Sequence, residues 1–414
     1  MVLKQFFILD FDITKSVIDQ LNHFIMHLRK TIIIALSCAI VFGCKKENSP
    51  SSTNQVDGCV SQRSYKDGDI IEGQYIVAYK PSSLDTRAAS TQHISRVSED
   101  VLQRNKISSA AIRSTFQGEP GGFVAHLSVQ EAAALKNDAD VEAVEPDRFV
   151  ALSTCFTVAE PRLITWNVNR VGYGDGTGKT AWIIDTGIEF DHPDLNVDQA
   201  RSKSFITGVT SADDENGHGT HVAGIIGAKN NTFGVLGVAS GASLVSLRVL
   251  DKDGSGSLSS IIQALGYVNS NGQAGDVVNL SLGEDSVSTI LDNQVQNTAA
   301  RGIYIAIAAG NDKEPARNFS PGRANATNVF TISAIDSLDN FASFSNYGND
   351  VVDFAAPGVH ILSTYLGRRY AYMSGTSMAA PHMAGLLLLR GRNFSTSGVA
   401  KNDPDGTPDP IAHY

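Results

Sequence analysis

Between residues 180 and 335, short and nearly continuous apolar runs alternate with stretches of helical period, and this alternation restricts the fold more than any other feature of the chain. The runs are Ala181–Ile184, Ser243–Val249, Val277–Leu280, Ile303–Ala308 and Val329–Ile335. Helical segments at His221–Gly227, Leu258–Asn269 and Val287–Arg301 lie between them. Strands that are apolar on both faces and joined by helices build a parallel sheet covered on both sides. Residues 160–414 are therefore expected to form one α/β domain.

A smaller unit precedes it at residues 70–150. Gly73–Tyr79 alternates as a strand does, a helical stretch runs from Ile94 to Lys106, and Gly122–Leu127 is a second strand. Val129–Asn137 reads as a second helix and Val141–Asp147 as a short third strand, giving a small α+β module of ferredoxin-like type. Residues 45–69 are a linker whose Ser, Asn and Pro content cannot build a core.

Residues 26–44 have the three parts of a secretory signal: basic Met26–Lys30, the apolar run Ile32–Phe42, and small Gly43 before Cys44. The run is too short for a membrane-spanning helix, which needs about 20 apolar residues. Residues 1–25, with Asp10, Asp12 and Asp19, fit no part of such a signal; either translation starts at Met26 or the basic region is extended. Val41–Cys44 resembles a bacterial lipobox, which implies lipidation of Cys44 and membrane attachment only through that lipid. The expected location is outside the cytoplasm of a bacterium: periplasmic, anchored to the outer membrane, at the cell surface or extracellular.

A formal charge of -10 argues against nucleic acid as a partner, because phosphate binding needs clustered Lys and Arg. No His-Glu-x-x-His or Cys-x-x-Cys supports catalytic zinc. The glycines of Gly172–Gly178 come before a strand, whereas a dinucleotide fingerprint needs them after one, so that passage is a loop.

In a parallel sheet, ligands gather at the carboxyl ends of the strands. Asp185 ends the strand that begins at Ala181, and His218 opens a helix in Asn216-Gly217-His218-Gly219-Thr220-His221. Ser377 stands at the mouth of another helix within Ser374–Gly385. A serine hydroxyl is inert at neutral pH without a base and a group to orient that base. An Asp at a strand end is by itself an ordinary turn residue, but with His218 and Ser377 it completes such a set.

These three motifs match the subtilisin-like serine proteases over about residues 166–390, and Ser345–Gly348 and Ile361–Thr364 resemble the proteinase K branch. The chain order Asp, His, Ser is that family's, whereas an α/β-hydrolase has Gly-x-Ser-x-Gly and the order Ser, Asp, His. The resemblance implies a three-layer catalytic domain, a monomer, and polypeptide substrates. It implies Ser377 as nucleophile, His218 as base, Asp185 as its orienting acid, and the Asn311 amide with the Ser377 N–H as oxyanion donors. His221 and His382 are expected to pack inside helices.

Substrate would lie as an added strand between Ser281-Leu282-Gly283 and Gly254-Ser255-Gly256, with Ala308-Ala309-Gly310 and Ser320-Pro321-Gly322 around the residue before the cut. No charge sits in these segments, which implies a broad preference for apolar or aromatic residues there. Residues 230–239 resemble the family's calcium loop, with Asp194, Asn231 and the carbonyls of Lys229, Phe233 and Val235 as ligands. Asp353 is either a second, weaker calcium site or an ordinary buried acid.

The module at 70–150 then resembles the family's inhibitory propeptide, through Tyr75-Ile76-Val77 and Val144–Asp147. Self-cleavage would fall between Ala151 and Glu160, with the mature domain beginning near Trp166–Val171. Cys59 and Cys155 flank the module and either form a disulfide or remain two thiols. A catalytically silent peptide-binding scaffold on the same fold is the competing reading. The Gly-, Asp- and Pro-rich tail Asn402–Tyr414 is shorter than the helical finish of the family, which bears on stability.

Overall fold

The computed structural model describes residues 68–81, 91–118, 120–151, 155–158 and 164–414. The expectations for the signal, for lipidation of Cys44 and for a bond from Cys59 to Cys155 fall outside the described residues, since only the backbone of Cys155 is described.

The front module runs through strand β1 (Ile70–Tyr79), helix α1 (Thr91–Arg104), strands β2 (Ile112–Phe116) and β3 (Gly122–His126), helix α2 (Val129–Leu135) and strand β4 (Val141–Ala151). Its strands lie antiparallel in the order β4-β1-β3-β2, a ferredoxin-like arrangement. Strand β2 adds to the sequence-based expectation; its Ile-Arg-Ser-Thr-Phe is polar enough to read as loop, and its place at the sheet edge tolerates that. Strand β4 continues to Ala151, past the expected end at Asp147.

Strand alternation gives this sheet two apolar faces. Val77, Tyr79, Phe123 and Ala125 pack against Ile94, Val101, Leu102 and Leu135 of the module's own helices. Ile76, Ala78, Phe116 and Val124 face the opposite way and join a core of the large module. The front module cannot bury its second face alone, and it remains docked for that reason.

Strand β5 (Cys155–Val158) follows, and then the large module: β6 (Thr180–Asp185), β7 (Lys203–Ser204), α3 (His218–Gly227), β8 (Ser243–Arg248), β9 (Ser255–Ser257), α4 (Leu258–Asn271), β10 (Val277–Leu280), α5 (Thr289–Ala300), β11 (Tyr304–Ala308), β12 (Val329–Ile335) and β13 (Phe354–Pro357). The chain ends with β14 (Ile361–Tyr365), β15 (Arg369–Ser374), α6 (Thr376–Arg390), β16 (Ser395–Val399) and β17 (Pro410–His413). The main sheet has the order β16-β17-β13-β12-β11-β10-β6-β8-β7, and every neighbouring pair is parallel except β16 with β17.

Residues of β6 alternate between two cores: Ala181 and Ile183 pack with α3 and α6, while Trp182 and Ile184 pack with α4 and α5. Helices therefore cover both faces, as the apolar runs require. Helix α6 begins at Thr376, which sets Ser377 in its first turn, as expected, and Pro381 inside it. Proline has no N–H to give to the carbonyl four residues back, here that of Ser377. The Ser281 hydroxyl supplies the missing donor at 2.8 Å.

The short tail ends in strand rather than helix: β16 and β17 form a hairpin whose Ile411 pairs with Ala355 of β13 and packs with Ile335 and Ala400. Asp409 is buried there and accepts a 2.5 Å bond from the Ser333 hydroxyl.

Candidate active site

Parallel register brings the carboxyl ends of β6, β10 and β11 to one edge: Ile184 pairs with Leu280, and Leu280 with Ile307. Asp185 is the last residue of β6, Ser281 follows β10, and Asn311 lies just beyond β11. Helix α3 approaches β6 closely because Gly219 has no Cβ; one placed there would meet the Gly187 carbonyl at 2.1 Å. Gly217, at φ 106°, makes the turn into that helix against the Tyr365 ring.

The result is a buried pair. His218 Nδ1 lies 2.7 Å from Asp185 Oδ1, with side chains 1% and 0% exposed. Asp185 Oδ1 also accepts the Thr186 N–H at 2.7 Å. With Nδ1–H given to the carboxylate, His218 Nε2 carries the lone pair, and it has no hydrogen-bond partner here. The Ser377 hydroxyl is directed to the Ser281 carbonyl at 3.1 Å, so the Ser–His bond is not formed in this conformation. Such bonds commonly tighten only when substrate is present.

Asp214 is a residue that the motif reading passed over. Buried just before α3, it accepts from the N–H groups of Asn216, Gly217 and Thr220 and from the Thr220 hydroxyl, which fixes the start of the helix bearing His218. Burial pushes its carboxyl upward despite these donors. An acid four residues before a helix-opening His was the available signal.

The other two histidines have structural roles, as expected. His221 Nε2 lies 3.0 Å from the carbonyls of both Ile361 and Ala371, and burial lowers it to about 3, so it stays neutral. His382 lies between the Met378 carbonyl at 2.8 Å and Asn167 at 2.9 Å, and burial lowers it to about 4.

The orientation of Asn311 follows from its neighbours. Its Oδ1 accepts the Thr376 N–H at 2.8 Å and the Thr376 hydroxyl at 3.0 Å. A backbone N–H can only donate, so the side-chain oxygen must face Thr376 and the NH₂ faces the other way. Asn311, Ser377, Ser281, Leu282, Gly283, Ala308, Ala309 and Gly310 line one cavity together with Ser320 and Gly322. Glu284, Asp285 and Asp312 also line it, three acids that the expectation of an uncharged pocket did not include.

On the opposite side, β9 carries the end of the front module. Ser255, Gly256 and Ser257 pair antiparallel with Ala151, Val150 and Phe149. Two acids of β4 secure this docking. Asp147 accepts the N–H and the hydroxyl of Ser259 at the start of α4, and Glu145 accepts from the Ser288 hydroxyl and the Ile290 N–H at the start of α5. Each carboxylate satisfies donors that a helix N-terminus leaves open. Further along the chain, β5 pairs antiparallel with β15, Cys155 opposite Ser374.

The loop expected to bind calcium offers one carboxylate. Asn231 Oδ1 accepts the Phe233 N–H at 3.0 Å, so its Nδ2 faces Asp194 Oδ1 at 2.7 Å. Asp194 Oδ2 accepts from the Val235 N–H at 3.0 Å and the Tyr370 hydroxyl at 3.3 Å. Donors thus occupy the carboxylate where a hard cation would need oxygens, and this arrangement does not fit calcium. No cluster of three or more His, Cys, Asp or Glu suited to a metal occurs among the described residues. Asp353 is a half-buried acid that accepts the Thr331 N–H at 2.9 Å, and partial burial raises it to about 6.

Residues 176–395 match the model of the subtilase family of peptidases, and residues 74–153 match that of peptidase inhibitor I9. The chain is 34% identical over 376 residues to alkaline serine protease ver112 of Corniculantispora psalliotae, covering 83% of this chain and 90% of the relative. It is 41% identical over 281 residues to M-protease of Shouchella clausii, covering 66% of this chain and 70% of the relative. The crystal structure of a cold-adapted subtilisin-like serine proteinase superposes with a TM-score of 0.54 at 33% identity, covering 61% of this chain and 98% of the other.

Proposed function

Because the chain belongs to the subtilase family and carries its own I9-type inhibitor, we propose that Asp185, His218, Ser377 and Asn311 are the groups with which this serine endopeptidase cuts first its own chain and then other polypeptides. The observation that carries the assignment is the buried 2.7 Å contact between His218 and Asp185, which leaves Nε2 as a base. When substrate enters, the Ser377 hydroxyl turns from the Ser281 carbonyl, gives its proton to His218 Nε2 and attacks the scissile carbonyl carbon. The Asn311 NH₂ and the Ser377 N–H receive the oxyanion. The C–N bond then breaks as His218 returns the proton to the leaving amine, and water repeats the sequence on the acyl-enzyme. Asp185 remains ionised and stabilises the imidazolium.

Pairing of β4 on β9 supports Gly254–Gly256 as one flank of the substrate strand, opposite Ser281–Gly283. Within the expected range from Ala151 to Glu160, the pairing of Ala151 with β9 and of Cys155 with β15 supports a self-cleavage point between those two residues. In the residue before the cut we expect broad apolar or aromatic preference from the uncharged Ala308–Gly310 and Ser320–Gly322, with Glu284, Asp285 and Asp312 adding negative charge to the same cavity. Export by the 26–44 signal, lipidation at Cys44, a monomeric state and a Cys59–Cys155 bond belong to the same reading and rest on sequence. Calcium at Asp194 is left out of it, for the donor arrangement given above.

A fluorophosphonate probe tests the assignment. Wild-type enzyme should be labelled once, at Ser377, and Ser377→Ala should not be labelled. Absence of labelling in properly processed wild type would favour the silent peptide-binding scaffold.

A further inference from the structure

We propose that Glu284 makes this peptidase select a basic residue in the substrate strand, at the position that Arg148 takes in β4. The inference rests on the protease reading and deepens it. Glu284 directly follows Ser281-Leu282-Gly283 and lines the same cavity as Ser377 and Asn311. Its backbone is fixed by an N–H bond to the Ser320 carbonyl at 3.0 Å. The residue is only 2% exposed, and neither carboxyl oxygen has a hydrogen bond of good geometry, the Ser286 hydroxyl lying close enough to lower its pKa but poorly aligned. Asp285 and Asp312 line the cavity with it, and no Lys or Arg does among the described residues.

A buried carboxyl without a well-aligned donor is costly to keep, and such a group persists where a ligand supplies what the fold does not. Here the ligand's place is held by β4, which lies on β9 as a substrate strand would. Arg148 immediately precedes the paired segment Phe149–Ala151. Arg148 is bonded to the Gly68 carbonyl, and Gly68 packs against Asp285, the residue next to Glu284, so closely that a Cβ on the glycine would meet the Asp285 Cβ at 3.3 Å. Burial pushes the Glu284 carboxyl up to about 8; the nearby Arg148 charge is the main pull downward, with the Ser286 hydroxyl adding to it, while Glu145 and Asp147 push upward. The Arg148 guanidinium is itself held by the Gly68 carbonyl at 2.8 Å and forms no direct ion pair with Glu284. A substrate strand brings no Gly68 with it, so its Arg or Lys is at liberty to reach the carboxylate and form a charge-assisted bond away from water.

The test uses processed enzyme and internally quenched peptides spanning residues 146–158, with Arg, Lys, citrulline or Glu at position 148 and each cut located by mass. Wild type should cleave the Arg and Lys peptides with kcat/KM about tenfold above the citrulline peptide, which has nearly the same shape and no charge. The Glu peptide should be slowest, and in Glu284→Gln the ratio of Arg to citrulline should fall to about one. Each preference is a ratio within one preparation, so it does not depend on how much of a variant folds. Equal rates for Arg and citrulline in wild type would overturn the inference without any variant. So would an Arg preference that survives in Glu284→Gln, or one that disappears in Asp285→Asn instead. Cleavage of none of the peptides would count against the protease reading itself.

Discussion

At Ser281 two requirements of the site meet in one residue. Its carbonyl holds the Ser377 hydroxyl at rest, and its own hydroxyl donates to the Ser377 carbonyl that Pro381 leaves without an intrahelical donor. The same hydroxyl accepts from Asn279 Nδ2 at 2.8 Å. Ser281→Ala should therefore leave a buried carbonyl and a buried amide unsatisfied and cost about 1–3 kcal/mol of stability. Urea unfolding in a Ser377→Ala background, where self-digestion is prevented, measures this; an unchanged midpoint would mean that water replaces the hydroxyl. Glycine and proline act at this scale as well, since Gly219 allows the contact of helix with strand that places His218 on Asp185.

Among the elements, the tail hairpin and the 229–235 loop make separate demands. Asp409 is raised to about 7, first by burial and then by Asp403, Asp405 and Asp353, with the Ser333 hydroxyl opposing. Its folded value lies above its unfolded one, so the native chain binds the extra proton and stability falls as pH rises through that interval. Asp409→Asn keeps the shape without the charge and should gain on the order of 1–2 kcal/mol over wild type at pH 8, with little gain below the unfolded value. Thermal unfolding at both pH values measures this, and an equal shift at each would remove the titration from the explanation. In the loop, the bonds on Asp194 already do what a cation would do, so a chelator should move the melting temperature by no more than about 2 °C. A large drop restored by calcium would show that Asn231 turns over. The sheet, the α4 and α5 helices and the residues of the site were legible because apolar runs and the Asp185, His218 and Ser377 motifs are local patterns. Strand β2, the tail hairpin and the continuity of α6 through Pro381 were not, because an edge strand, a docked tail and a proline tolerated inside a helix all depend on distant partners: β3, β13 and Ser281. Glu284 was also missed, since only the folded cavity shows that an acid after Gly283 is buried.

The whole molecule is a peptidase folded around its first substrate. Parallel strands as distant in sequence as β6 and β10 must meet before the sheet is stable, and non-local pairing of this kind is slow. The front module offsets part of that difficulty by capping α4 and α5 with Asp147 and Glu145 and by extending its own sheet with β9. The same module pairs Phe149–Ala151 with β9, beside the cavity that Ser377 lines, so assistance in folding and inhibition are expected from one surface. The most direct test of this account is the intact mass and N-terminal sequence of the full chain expressed as wild type and as Ser377→Ala. Wild type should be cut between Ala151 and Cys155, and Ser377→Ala should keep that bond whole. Cleavage of Ser377→Ala at the same bond, in a preparation free of other peptidases, would contradict it.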